Sequence, residues 1–146
     1  MICPDTYNVV DLNKLLVEKY KDLSGLKPDN GAKYDVHIFK LFAKHIKPEE
    51  QKETLSQKHP NAKVKRVLNV YVGTPNRLLK LLSMEAFDLG ELSDRFRHMI
   101  IDCRIGPKGF SIFEGMETRV DTLELLIEAN SAFARDTGNK LKVSLV

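Results

Sequence analysis

Five short apolar runs alternate with four amphipathic stretches along this chain, and that alternation restricts the fold more than any other feature. The runs lie at 1–3, 36–42, 64–72, 96–102 and 140–146. "VHIFKLF" (36–42) is rich in β-branched and aromatic residues, which suit a strand. "FRHMIID" (96–102) ends in the three-residue apolar run typical of a buried parallel strand. Between the runs the period changes. Val9, Leu12, Leu15, Leu16, Tyr20 and Leu23 recur at helical spacing and predict a helix over 9–23. Pro48 followed by Glu49 and Glu50 predicts a helix start, since proline wastes no donor there and acids complement the helix dipole. Further helices are expected at 75–84 and 117–134, the last laying Val120, Leu123, Leu126, Ile127 and Phe133 on the sheet. Strands alternating with helices imply crossover connections of one hand, hence a mainly parallel sheet covered by helices on both faces.

The 146 residues fit one α/β domain. A chain of that length buries roughly 70% of its unfolded surface and needs no disulfide to stand. Its two cysteines, Cys3 and Cys103, are far apart, as expected of a reducing compartment. The formal charge of +3 is a weak pointer to an anionic partner. No apolar run reaches membrane-spanning length, and "MICPDTY" lacks the basic and apolar regions of a signal peptide. That start reads instead as a strand caught at its end, so the chain is expected to be a fragment of a longer protein.

The most informative corner is "YVGTPNRLLKLL", from Tyr71 to Leu82. Ligands of open parallel sheets sit outside the carboxyl ends of the strands, and Gly73-Thr74-Pro75 stands at such an end. Gly73 permits a tight turn. Thr74 is placed to cap the following helix with its side-chain oxygen, and Pro75 suits the first helical position. The free N–H groups and the helix dipole then make a phosphate site, with the Arg77 fork close by. The same residues also suit a plain helix cap.

Strand-"GTPxRL"-helix resembles a motif with which DEAD-box RNA helicases grip the RNA backbone, with Asn76 where that family usually has Gly. Other segments line up in order. "ICPDTYNVVDL" (2–12) falls at a second RNA-backbone motif, with Tyr7 and Asn8 in place of its Arg and Glu. "KLFAKHIK" (40–47) falls at an RNA-facing Gly-Gly turn. "IIDCRI" (100–105) falls at the Asp-Glu-Ala-Asp box, where only Asp102 matches and Cys103, Arg104 and Ile105 do not. This combination resembles one small eukaryotic family over essentially the whole chain. These are the DEAD-box-helicase-like proteins of the small-subunit processome (the Cms-one family), the early pre-ribosome that contains the U-three small nucleolar RNA. The resemblance implies a degenerate RecA-like three-layer sandwich over 1–146, without the family's lysine-rich, disordered amino-terminal region. It implies a non-catalytic, nucleolar module of ribosome biogenesis that contacts pre-ribosomal RNA, processome proteins or both, monomeric outside the particle. The alternative is a fragment of an ATP-dependent RNA helicase whose phosphate loop lies upstream.

The residues argue against turnover. ATP hydrolysis on such a sheet needs a phosphate cradle, carboxylates for Mg²⁺ and a group that orients water. No GxxxxGK[ST] occurs, and Cys103 replaces the carboxylate at the water-orienting position. Cys103 and His98 on one strand point to opposite faces, so they form no nucleophile–base couple. His37, His45, His59 and His98 lack metal-ligand spacing, so neither metal nor cofactor is expected. For RNA, the expected contacts are Lys44, His45, Lys47, Gly73, Thr74, Pro75 and Arg77. These form a basic edge plus a helix start, binding phosphates without reading sequence. Lys63, Lys65 and Arg66 stand at the opposite end of their strand and read as solvated surface. Phe110, Ile112 and Phe113 occupy a Gly-rich loop, expected either to fill the empty nucleotide cleft or to dock on another protein.

Overall fold

The computed structural model describes residues 1–24, 34–43, 46–56, 66–87, 98–137 and 141–146. Among these residues four helices and four strands alternate: α1 (Thr6–Ser24), β1 (Tyr34–Leu41), α2 (Pro48–Ser56), β2 (Arg66–Gly73), α3 (Pro75–Ser83), β3 (His98–Ile101), α4 (Met116–Thr137) and β4 (Lys142–Leu145). The architecture is mixed α/β, as the alternation predicts. α1 begins earlier than expected because Asp5 caps it: the Asn8 N–H donates to Asp5 Oδ1 at 2.9 Å.

Strand β1 pairs with β2, and β3 with β4, both in parallel. The first apolar run forms no strand of its own. Ile2 instead makes one parallel bridge to Gly73 and one to Ile101. Its N–H donates to the Ile100 carbonyl at 2.8 Å, and its own carbonyl accepts from Asp102 N–H at 2.8 Å. The spatial order is therefore β1, β2, the Ile2 segment, β3, β4, with all carboxyl ends on one side.

Alternate residues sort into two apolar clusters, one per face. Cys3 and Val72 pack with Val9 and Leu12 of α1. Ile2, Leu41, Met99 and Ile101 pack with Leu78 and Leu81 of α3 and Leu125, Ala129 and Phe133 of α4. Leu55 of α2 joins the second cluster. This split follows from direction. The chain leaves the Ile2 segment towards one edge through α1. It then steps back across through α2, α3 and α4, and crossovers of one hand place helices for opposite steps on opposite faces. Phe39 stacks on its register partner Tyr71 with ring centroids 5.4 Å apart, and Phe87 meets Tyr71 edge-on at 5.1 Å.

The face of α4 differs from expectation. Thr122, Leu125, Ala129 and Phe133 are buried, whereas Val120, Leu123 and Ile127 are exposed. Phe133 alone of the expected set is fully enclosed, and Leu126 is half-buried. The side turned to the sheet and α3 is the one that carries Leu125, Ala129 and Phe133.

Candidate nucleic-acid interface

Gly73 ends β2 in a crowded place. A β-carbon there would lie 2.5 Å from the Leu41 carbonyl oxygen and 2.9 Å from Leu78 Cγ, so only glycine lets the strand, its neighbour and α3 meet. Its N–H donates to the Met1 carbonyl at 3.0 Å, and its carbonyl accepts from Cys3 N–H at 2.9 Å. Thr74 is extended (φ −78°, ψ 150°) and its carbonyl opens α3 by accepting the Leu78 N–H at 3.0 Å. Its side chain makes no capping bond, contrary to the sequence expectation. Pro75 takes the first helical position and is buried.

Arg77 does not reach outward as a free fork. It is 6% exposed. Its Nη2 donates to the Ile46 carbonyl at 3.1 Å, while buried Nη1 has no partner among the described residues. Gln51 of α2 holds the same loop from the other side, donating from Nε2 to the Phe42 carbonyl at 3.4 Å. Its Oε1 is likewise buried and without a partner among the described residues. The segment after β1 is thus tied to the start of α3 through Arg77. Lys47, next to Ile46, is exposed at this edge. Lys44 and His45 lie outside the described residues, as do Lys63 and Lys65. On the α4 side of the corner, Asn76 shares a shallow depression of about 380 Å³ with Met116, Glu117, Val120 and Asp121. Two acids there disfavour a phosphate, so the accessible basic side of the corner is that of Lys47.

The position where the resemblance puts the helicase box is occupied from within. Asp102 is 1% exposed, at the carboxyl end of β3. Its Oδ1 accepts from the backbone N–H and Nε of Arg104, both at 3.0 Å, and Oδ2 accepts from Arg104 Nη2 at 2.9 Å. Arg104 Nη1 reaches on to Asp11 Oδ2 of α1 at 3.1 Å. The bond to Asp102 raises the guanidinium above its ordinary pKa. The carboxyl ends of the Ile2 segment and β3 form the point where the strand order reverses, the usual ligand crevice of such a sheet. Arg104 spans that crevice and satisfies the carboxylate that a metal would otherwise need. Among the described residues no cluster of His, Cys, Asp and Glu is arranged to hold a metal ion.

Cys103 is half-buried, with Sγ 3.8 Å from the Ile101 carbonyl, and Ile105 is exposed. His98 is exposed and pairs through Nε2 with Ser144 Oγ at 2.8 Å, away from Cys103. Cys3 is enclosed, and burial, then the nearby Asp102, push its thiol up to about 12. The loop after the box divides. Ile112 is buried in the main cluster and Phe113 packs beside it, whereas Phe110 is 57% exposed. Gly106 lets this loop approach the α1 cap, since a β-carbon there would lie 2.3 Å from Asp5 Oδ2. Tyr7 is exposed on the first turn of α1, and Asn8 is buried. Sequence reasoning missed the Asp102–Arg104–Asp11 chain. The available signal was an arginine two residues beyond a strand-terminal aspartate.

Comparison with known proteins agrees with the resemblance at family level. The family model for CMS1, the U3-containing 90S pre-ribosomal complex subunit, matches residues 8–145. The chain belongs to this family. Two curated relatives are the CMSS1 proteins of Danio rerio, 32% identical over 102 residues, and of Xenopus laevis, 25% identical over 127 residues. These alignments cover 70% and 86% of the chain but only 26% and 37% of the two relatives, so the chain spans well under half the length of the curated relatives it matches. No solved structure matches the chain.

Proposed function

We propose that this chain is a non-catalytic, RecA-like binding module of the early small-subunit pre-ribosome, and that its β1–β2 edge holds the backbone of pre-ribosomal RNA. One observation carries the reading. The edge after β1 and the start of α3 are tied together by Arg77 and present exposed Lys47, while Asp102, the one box carboxylate, is used up by Arg104. A basic edge beside a helix start suits phosphate oxygens and needs no base contacts. An ATPase would need Asp102 free for a metal, which argues against the helicase-fragment reading. In this account Arg77 positions the loop, and the RNA contacts are Lys44, His45, Lys47 and the uncapped Thr74 hydroxyl, because the Gly73 and Thr74 N–H groups are taken by the Met1 and Leu41 carbonyls and Pro75 has none. Membership of a pre-ribosomal subunit family supports a role in ribosome biogenesis and, with it, a nucleolar location.

The test is an anisotropy titration of labelled single-stranded and duplex RNA with the chain, beside Lys44→Glu and Lys47→Glu. The wild type is expected to bind, and each reversal to weaken binding several-fold for every RNA sequence tried. Equal, negligible binding by all three proteins would reduce the corner to a helix start and nothing more.

A further inference from the structure

Helix α4 carries two rows that its packing does not use. Met116, Val120, Leu123 and Ile127 recur at spacings of four, three and four and are all exposed, Met116 at 76% and Ile127 at 66%. The buried face of the helix is a different one, built from Thr122, Leu125, Ala129 and Phe133. One residue on from each member of the apolar row stands an acid: Glu117, Asp121, Glu124 and Glu128. Successive residues are about 100° apart around a helix, so the acids form a second row flanking the first. Three of them are exposed and Asp121 is half-buried. Single exposed apolar residues are ordinary, but a contiguous row marks a contact surface. This row runs about 16 Å, the length of three helical turns.

We infer that this face of α4 is a docking surface for a basic amphipathic helix of a protein partner. The spacing is that of helix-on-helix packing, in which an apolar seam is flanked by charges that select the partner. Charge complementarity decides the occupant. Four acids along one flank call for lysines or arginines on the incoming helix, and the chain's overall charge of +3 makes this row a local inversion. RNA is repelled by the same acids. A second copy would set acidic row near acidic row, with Arg119 the one basic residue exposed on α4 between Met116 and Ala134 to offset them. The shallow depression lined by Met116, Val120, Glu117 and Asp121 gives the incoming helix a seat for one long side chain at the amino-terminal end of the row. The surface shares no residue with the proposed RNA edge, and it stands if the RNA edge fails.

The experiment uses the full chain and two synthetic helical peptides with the same leucine seam, one flanked by lysines and one by glutamates. Binding is followed by anisotropy, with methyl NMR shifts locating the contact. The lysine peptide is expected to bind at least tenfold tighter than the glutamate peptide and to shift the methyls of Met116, Val120, Leu123 and Ile127. Val120→Asp and the pair Glu124→Lys/Glu128→Lys are each expected to weaken it roughly tenfold. Unchanged circular-dichroism melts would show that both variants fold, as substitutions at exposed positions should. Absent binding, equal binding of the two peptides, or methyl shifts elsewhere would overturn the proposal. So would a dimer in sedimentation that Val120→Asp dissociates, because the occupant would then be a second copy.

Discussion

Removing Arg104 should cost the fold far more than removing Asp11, although both belong to one ion-pair chain. Asp102 receives three N–H donors within 3.0 Å, all from Arg104, and is cut off from water. Arg104→Ala keeps the backbone donor and loses the two side-chain ones, leaving a buried carboxylate half-satisfied. Stripping the partner from a fully buried charge pair costs roughly 3–5 kcal/mol. Arg104 is 48% exposed on its side chain, so water reaches part of the gap and the expected cost falls to about 2–3 kcal/mol. The Arg104–Asp11 pair is 48% and 52% exposed, which limits Asp11→Ala to about 0.5 kcal/mol. Urea unfolding at neutral pH of Arg104→Ala, Asp102→Asn and the double variant closes a cycle, with a coupling of about 1.5–2.5 kcal/mol expected. If Arg104→Ala cost no more than Asp11→Ala, Arg104 would not be what satisfies Asp102. The account of the filled crevice would then fail.

Gly73→Ala is expected to destabilise by about 1–3 kcal/mol in the same assay, because its new methyl meets the Leu41 carbonyl oxygen at 2.5 Å rather than a flexible side chain. Asp5→Ala removes the acceptor of the Asn8 N–H and should cost about 1 kcal/mol, with Asp5→Asn losing much less. The folded state holds the Cys3 thiol proton up to about 12 against an ordinary 9.0, so the unfolded chain loses that proton first. The contribution is therefore complete below pH 9 and declines as pH rises towards 12, and Cys3→Ala should flatten that part of a stability–pH curve. A thiol reagent at neutral pH should modify half-buried Cys103 ahead of Cys3, which becomes reactive on unfolding.

The order of elements was legible because each run has a period that physics ties to one kind of element. The parallel pairing and the placement of helices on two faces follow from that order. Met1–Cys3 reads in the sequence as a strand, but a run that short pairs through Ile2 alone and forms no strand of its own. The face of α4 was misread because its exposed row is more apolar than its buried one. Period alone gives a stripe's existence, and only the sheet decides which side is covered. At the corner, Gly73 and Pro75 were legible because their backbone chemistry is local. Arg77 was not, because its partner is the Ile46 carbonyl, a main-chain group 31 residues away. Thr74 offered a capping oxygen that the fold leaves unused. Asp102 stood out in the sequence as an isolated carboxylate, and its pairing with Arg104 needed only the strand end between them.

The edge is proposed to grip RNA without a motor, and the decisive measurement is the affinity for a single-stranded RNA with and without ATP, at fixed free Mg²⁺, across a range of salt. The account predicts one affinity under both conditions, falling with salt at about 0.7 in log–log slope for each phosphate held. A tenfold shift on adding the nucleotide would contradict it, because Asp102, the carboxylate through which its metal would act, is already paired with Arg104.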